Sequence, residues 1–232
     1  MTRRALAALF GIGFAAALAG TVPMRLALSW FGADRIGVAA TEVSGSLWNG
    51  RLTAAQYHGI ALGDVGASLD PFALVAGTHR LTVHGTLGSA TLVQGGTRGF
   101  EAADGAIEVA HLHTTLPLAG IMRLEQATLL FSDGRCARAE GRIATDILKR
   151  AFDGPEVAGT LSCAGDAGVA RLEGRLRDVE VSIALRLEAN GRYHAETRIV
   201  SANPTVRGVL SLAGFVESGE GFVRSDEGAL GT

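Results

Sequence analysis

Apolar and polar residues alternate with a period of two along most of the chain after residue 36, and glycine-rich turns separate the alternating stretches. In the clearest case, residues 179–187 alternate, Asn190-Gly191 follows, and residues 193–199 alternate again. Asn-Gly between two such strands favours a tight type I′ hairpin. Strands with one apolar and one polar face are typical of antiparallel meanders, which argues against a buried parallel sheet.

Short helical signals interrupt this pattern at a few places. Each combines apolar residues at helical spacing with a proline or glycine at one end, which predicts a helix of one or two turns covering a sheet end or edge. The segments are residues 70–77, which begin with Asp70-Pro71, residues 147–152, which precede Gly154-Pro155, and residues 206–213, which follow Asn203-Pro204.

These patterns predict a mainly β fold. Residues 36–232 are expected to form an antiparallel β-sheet domain, either sandwich-like or a curled open sheet, with a few short helices. The turn-rich stretch 94–99 is the expected division between two sub-sheets.

The N-terminus indicates export. Arg3 and Arg4 precede an uncharged run over Ala5–Val22, and 18 residues of helix span about 27 Å, close to the thickness of a bilayer core. Residues 1–31 are therefore predicted to be a short cytoplasmic tail and a single-pass signal-anchor transmembrane helix. The small residues around Ala17-Leu18-Ala19 leave open the alternative of a signal peptide cleaved after Ala19.

Composition and motifs exclude several classes of function. A net charge of −2 gives no electrostatic footprint for nucleic acid. His111 and His113 share a strand face and are the best candidates for a zinc site, but no third ligand is evident, so we interpret them as exposed strand histidines. No catalytic motif is present either. We predict neither an enzyme nor a bound metal or cofactor.

Cys136 and Cys163 are the only cysteines. In a chain that carries an export signal, an even number of cysteines predicts a disulfide, here one structural bond. Closing a loop of about 28 residues would stabilise the fold by about 3–4 kcal/mol in the chain-entropy model. The alternative is two separate buried thiols.

Residues 43–50, Val-Ser-Gly-Ser-Leu-Trp-Asn-Gly, place Trp48 between Gly45 and Gly50. By itself this suggests a core tryptophan beside closely approaching backbone.

The stretch also resembles the opening signature V-x-G-x-L-W-x-G of the type II secretion system protein N (general secretion pathway protein N) family, in which a membrane anchor precedes this motif. The similarity continues almost to the C-terminus, through residues 69–77, 116–120, 134–141, 159–165, 212–215 (which include Phe215) and 219–230. Two departures are the short tail before the span and Val75 in place of a leucine.

The resemblance implies a single-pass inner-membrane protein whose bulk lies in the periplasm. Its function would be that of an accessory subunit of the type II secretion machinery, acting through protein–protein interactions with other inner-membrane subunits in the export of folded proteins. The family retains its N-terminal helix, which favours the anchor. No catalytic residues transfer, and the residues of interest are structural: Gly45, Trp48, Gly50, Cys136, Cys163 and Phe215.

A different class of function fits the same strands. A long antiparallel sheet with one apolar face is able to curl into a groove for lipid or another hydrophobic ligand, and the apolar faces Leu81/Val83/Leu87 and Ala127/Leu129/Phe131 are compatible with this. The alternative function is therefore a membrane-anchored, periplasmic lipid-binding module of β-groove type. Apolar residues exposed along a continuous cleft would favour it over a closed core.

Overall fold

The computed structural model of the chain describes residues 10–11, 13–14, 20–26, 38–57, 60–108, 120–146, 156–176 and 179–229. The chain divides into two compact units, Met1–Leu87 and Gly88–Thr232. Each unit contains antiparallel strands in meander order. None of the helices in the part of the chain that the structure describes combines the length and apolar character that a membrane crossing requires.

The first unit has a small sheet in which β3 is central. Its strands pair in the order β1-β3-β4-β5, and β2 pairs with another stretch of β3. The elements are β1 (Val38–Ala39), β2 (Glu42–Ser46), β3 (Asn49–Tyr57), β4 (Ile60–Leu69), α1 (Pro71–Val75) and β5 (His79–Gly85).

The second unit has a longer sheet whose strands follow chain order as far as β13, after which β15 pairs with β13 and β14 lies outside β15. The elements are β6 (Gly88–Gln94), β7 (Thr97–Glu108), β8 (Ile121–Ser132), β9 (Arg135–Thr145), β10 (Val157–Ala164), β11 (Ala167–Leu176), β12 (Val179–Leu187), β13 (Arg192–Ser201), α2 (Pro204–Leu212), β14 (Val216–Ser218) and β15 (Gly221–Ala229).

The predicted alternation matches the register of β11, β12 and β13. Leu172 pairs with Ile183, and Val181 pairs with Ile199, which pairs in turn with Phe222 of β15. Paired residues share a face, so these side chains form one apolar layer. We call this apolar side of the second unit the inner face.

The predicted hairpin between β12 and β13 is confirmed, through a turn over residues 188–191. The predicted type I′ form is wrong: the Gly191 N–H donates to the Glu188 carbonyl at 3.0 Å, so Ala189 and Asn190 are the central residues, and within this turn only Gly191 has a positive φ, of 85°.

Bulges bend the strands where non-glycine residues have a positive φ. Ala54 in β3, Ala102 in β7 and Gln126 in β8 have φ of 50°, 47° and 48°, and each coincides with a shift of register. Such a conformation costs about 1–2 kcal/mol for an L-residue, and a bulge increases the local twist.

A neighbouring side chain satisfies the backbone N–H of each bulged residue. Asp64 Oδ1 accepts from Ala54 at 3.0 Å, Thr128 Oγ1 accepts from Ala102 at 3.2 Å, and Asp104 Oδ1 accepts from Gln126 at 2.8 Å. Asp104 also accepts from the Gln126 side-chain amide at 2.6 Å. The bulges are therefore built features of the sheet.

The second unit is curled. The side chain of Leu129 in β8 reaches the backbone of β11, where a Cβ on Gly168 would lie 2.5 Å from Leu129 Cδ1. Residues 127–131 are all buried, on both faces of β8. The core of this unit gathers side chains from most of its strands and from α2, among them Val157, Leu172, Val181, Ile199, Leu210, Phe215 and Phe222.

Two of the three predicted helices are confirmed, and they differ in what they cover. Helix α1 begins after Asp70, whose side chain accepts from the N–H groups of Phe72 and Ala73, but none of its residues is buried. Helix α2 packs on β13 and β15 with Leu210 1% exposed, so it covers part of the inner face, where a sheet end or edge was predicted. The third predicted helix, over residues 147–152, lies outside the described residues.

The mainly β, antiparallel fold class is confirmed, and of the two forms predicted the structure has the open sheet. The stretch 94–99 forms the turn and first residues of the β6–β7 hairpin, whereas the two compact units separate between Leu87 and Gly88. The predicted transmembrane helix over residues 1–31 lies largely outside the described residues.

Candidate interaction sites

The β2–β3 hairpin holds the segment that follows the apolar N-terminal run. Gly45 has a φ of 80°, and a Cβ there would lie 2.3 Å from the Asn49 carbonyl oxygen, so the turn requires glycine. A Cβ at Gly50 would lie 2.8 Å from Met24 Cγ. The missing side chain at Gly50 therefore lets Met24, 4% exposed, pack directly on β3.

Backbone hydrogen bonds also hold the segment around Val22 and Pro23 on the β2–β3 hairpin. The N–H of Leu47 donates to the Val22 carbonyl at 2.9 Å, and Pro23 forms a β-bridge with Ser46. The N–H of Leu69 donates to the Leu47 carbonyl at 3.1 Å. The end of the apolar run is thereby linked, through the Leu47–Trp48 turn, to Leu69, the residue before the N-cap of α1. Trp48 is half-buried in this turn.

The structure contains the predicted disulfide. Cys136 and Cys163 are bonded, with Cα atoms 5.6 Å apart. They join β9 to β10 beyond the last pair of that ladder, Arg142 with Thr160. There the Cys136 N–H donates instead to the Asp166 carbonyl at 3.1 Å. The bond therefore holds two strands together where their own ladder has ended.

Several hydrogen bonds and a buried side chain hold the segment between α2 and β14 against the sheet. Phe215 is 6% exposed, and its N–H donates to the Leu210 carbonyl at 3.0 Å. Arg224 of β15 donates to the Ala213 carbonyl at 2.9 Å and to both carboxylate oxygens of Asp226 at 3.0–3.3 Å. The guanidinium is partly desolvated, because the side chain is 11% exposed, so these bonds fix the turn that leads into β14.

A second arginine links α2 to the edge strand. Arg207 forms an ion pair with Glu217 of β14, and its guanidinium carbon lies 5.7 Å from the centre of the Phe222 ring. Stacking on an aromatic ring limits the guanidinium's freedom. These contacts hold β14 in a defined position although it has only three residues.

Strand β14 is the free edge of the second unit. Among the described strands it pairs with β15 alone, and all three of its residues are exposed. Val216 is 69% exposed, and Leu212, at the end of α2, is 91% exposed. An open depression of about 660 Å³ lies along β14 and β15, lined in part by Val216, Val223 and Asp226. An ordered strand edge with exposed apolar side chains beside it is a site where another chain can pair.

The opposite face of the same sheet carries exposed ion pairs. His194 lies 3.0 Å from Glu227, and Arg186 lies 2.6 Å from Asp166. Their side chains are 42–69% exposed, so each pair contributes little to stability. This face is interpreted as solvated, in agreement with the alternation of polar residues along these strands.

The two histidines considered as metal ligands, His111 and His113, lie outside the described residues. Within the residues that the structure describes, no group of three or more His, Cys, Asp or Glu side chains is arranged to hold a metal ion.

Sequence reasoning missed two features of these sites. It placed Met24 inside the predicted membrane segment, residues 1–31, whereas Met24 is buried on β3. It did not recognise the Arg224–Asp226 pair. The sequence does contain a signal for this pair. Residues 222, 224 and 226 share the inner face, and two of them are charged where an apolar layer is expected.

Comparison with known proteins identifies the family. No curated protein and no solved structure matches the chain. Residues 36–225, most of the described sheet, match the family of type II secretion system (T2SS), protein N. The match begins just after the predicted membrane segment and includes the glycine hairpin, both cysteines and β14. The chain belongs to the type II secretion system protein N family.

Proposed function

We propose that this chain is an accessory inner-membrane subunit of the type II secretion machinery, anchored by its N-terminal run, with its sheet domain in the periplasm. Its role is to bind other inner-membrane subunits of the apparatus during the export of folded proteins. The observation that carries the proposal is the family match over residues 36–225, since that family is a component of this machinery.

The free edge at β14 is the contact we assign to a partner. A partner strand that adds to a sheet edge gains backbone hydrogen bonds, and alternate side chains supply specificity. The edge is ordered in advance by Phe215, Arg207 and Arg224, which lowers the entropic cost of pairing. Val216 and Leu212 supply apolar area next to the edge.

The docking of Val22, Pro23 and Met24 supports the anchor. Because these residues are fixed on the β2–β3 hairpin, a retained membrane helix before them is joined to the sheet without a flexible linker. A signal peptide cleaved after Ala19 would leave only a few residues ahead of this docked segment.

The test is a crosslinking pull-down from native membranes with C-terminally tagged full-length protein. We expect the protein at unprocessed mass, together with inner-membrane subunits of the secretion apparatus identified by mass spectrometry. A shortened, soluble protein that begins at Gly20 and brings no partner would contradict the proposal.

The role of the edge is tested in the same experiment with Val216→Lys. A lysine on an edge strand opposes pairing, so recovery of the partner should fall severalfold. The matched control is Leu92→Lys, which places the same charge at a 46% exposed position on β6 of the same unit. Equal recovery with both variants would rule out β14 as the contact.

A lipid-binding module remains a second candidate because the sheet is open. Toward one end of the inner face, Leu187 and Tyr193 pair with each other and are only half-buried. A lipid lying on this end would cover them. Lipid mass spectrometry on the full-length protein, purified under mild conditions, tests whether the sheet binds lipid. A stoichiometric lipid that is lost with Leu187→Glu favours the groove.

A further inference from the structure

Helix α1 presents large apolar side chains to the outside. Phe72 is 84% exposed, Val75 is 90% exposed and Leu74 is 38% exposed. The helix contains no charged residue and buries none of its own. Single exposed apolar residues are ordinary on protein surfaces, but several on one helical turn mark an interaction site.

The helix is held in a fixed conformation. Asp70 accepts from the N–H groups of Phe72 and Ala73 at 2.8 and 3.3 Å, and its own N–H donates to the Arg80 carbonyl at 2.9 Å. At the other end, Thr78 N–H donates to the Ala73 carbonyl at 2.9 Å. The exposed side chains are thus carried on an ordered turn between β4 and β5.

The position of α1 indicates what it contacts. Leu69, just before the helix, donates to Leu47, and Leu47 donates to Val22, the last residue of the apolar run. Two consecutive backbone hydrogen bonds therefore connect the start of α1 with the end of that run. Exposed Arg25 follows the same run and suits the anionic headgroup region.

We propose that α1 inserts Phe72 and Val75 into the interfacial layer of the bilayer that holds the N-terminal helix. The partner is a phospholipid surface. This inference rests on the proposed anchor, because the anchor keeps α1 beside the membrane and makes the second contact intramolecular. One five-residue helix is too small for a stable protein interface by itself, whereas interfacial insertion needs only its apolar side chains.

The test uses the full-length chain reconstituted in bilayers of phosphatidylethanolamine and phosphatidylglycerol. The photoreactive residue p-benzoylphenylalanine replaces Phe72 or, in a second variant, Val75. Chain–lipid adducts are then measured by mass spectrometry. The matched control carries the same residue at Leu87, which is 38% exposed in the same unit and follows the end of β5 remote from α1. We expect about tenfold more lipid adduct at Phe72 and Val75 than at Leu87, because α1 is the end of this unit that is joined to the anchor.

Retention of the unprocessed chain in carbonate-washed membranes is measured in parallel and tests the anchor separately. If the chain is retained and Phe72 and Val75 give no more lipid adduct than Leu87, or crosslink to a protein, the inference is wrong while the anchor stands. If the chain is cleaved and washes off, the anchor is wrong and the inference falls with it.

Discussion

The two units of this chain are stabilised in different ways. In the second unit a broad apolar core, the covering helix α2, a disulfide and the partly desolvated Arg224 all belong to the unit's own sheet. In the first unit the described core is small and consists of Leu52, Ala55 and Ala67 around Met24. Met24 reaches that core from the segment directly after the apolar N-terminal run.

This difference suggests a division of roles. The second unit has the parts of an independent domain and presents an ordered edge. The first unit completes its core with Met24, which follows the apolar run Ala5–Val22 by two residues, so its folding and the placement of that run are coupled. Substitutions should therefore act on one unit or the other according to which core they touch.

The largest effect is expected for Leu210→Ala. Leu210 is 1% exposed between α2 and the sheet, and removing it should lower the free energy of unfolding by about 3–5 kcal/mol. Urea unfolding of the full-length protein gives the size of the loss, and amide hydrogen exchange should locate it in β13 and β15. Leu212→Ala on the same helix, at a 91% exposed position, is the control and should change stability by less than about 0.5 kcal/mol. Similar losses from both variants would show that α2 does not cover the core.

Removal of the disulfide should cause the second largest loss of stability. The double variant Cys136→Ser/Cys163→Ser is expected to lose about 3–4 kcal/mol, because the unfolded chain is no longer constrained by the cross-link. Exchange should rise in β9 and β10 and stay unchanged in β2 and β3. A reductant should destabilise the wild type and leave the double variant unaffected. An equal response of both proteins to the reductant would contradict the bond.

Met24→Ala should act on the first unit. It removes a side chain that is 4% exposed from a small core, so we expect a loss of about 2 kcal/mol, at the low end for such truncations. Hydrogen exchange should increase in the β2–β3 hairpin while β12 and β13 stay protected. Leu26→Ala, two residues later and 43% exposed, serves as the control. If the two variants behave alike, the first unit does not depend on the N-terminal segment.

The smallest effect is expected at the bulges, which both units contain. Asp64→Ala removes one hydrogen bond to Ala54, and Asp104→Ala removes two to Gln126. We expect losses of about 1 kcal/mol for Asp64→Ala and somewhat more for Asp104→Ala, by unfolding in urea. Glu125→Ala, on an exposed position of β8, is the control. The reverse order would mean that the bulge of the first unit is the more dependent on its side-chain acceptor.

Much of the fold was predictable because its signals are local. Asn190-Gly191 predicts its hairpin, Asp70-Pro71 predicts the start of α1, and two cysteines behind an export signal predict their bond. The family signature likewise lies in one short hairpin.

The features that were not predicted depend on partners distant in the chain. Ala54 and Gln126 are not residues that favour a positive φ, and their conformation is explained only by Asp64 and Asp104 on neighbouring strands. The exposure of α1 was missed because its apolar sequence is also that of a covering helix. Only the packing of the described residues separates α1 from α2.

The order of strands also fixes when the free edge comes into being. From β6 to β13 each strand pairs with the one before it, so a chain emerging N-terminus first can add strands one by one through short-range contacts. Strand β14 breaks this sequence, because among the described strands it pairs only with β15, which follows it in the chain and itself pairs with β13. The edge therefore depends on β15, the last described strand in the chain. A partner that recognises it would bind only subunits whose sheet is already finished.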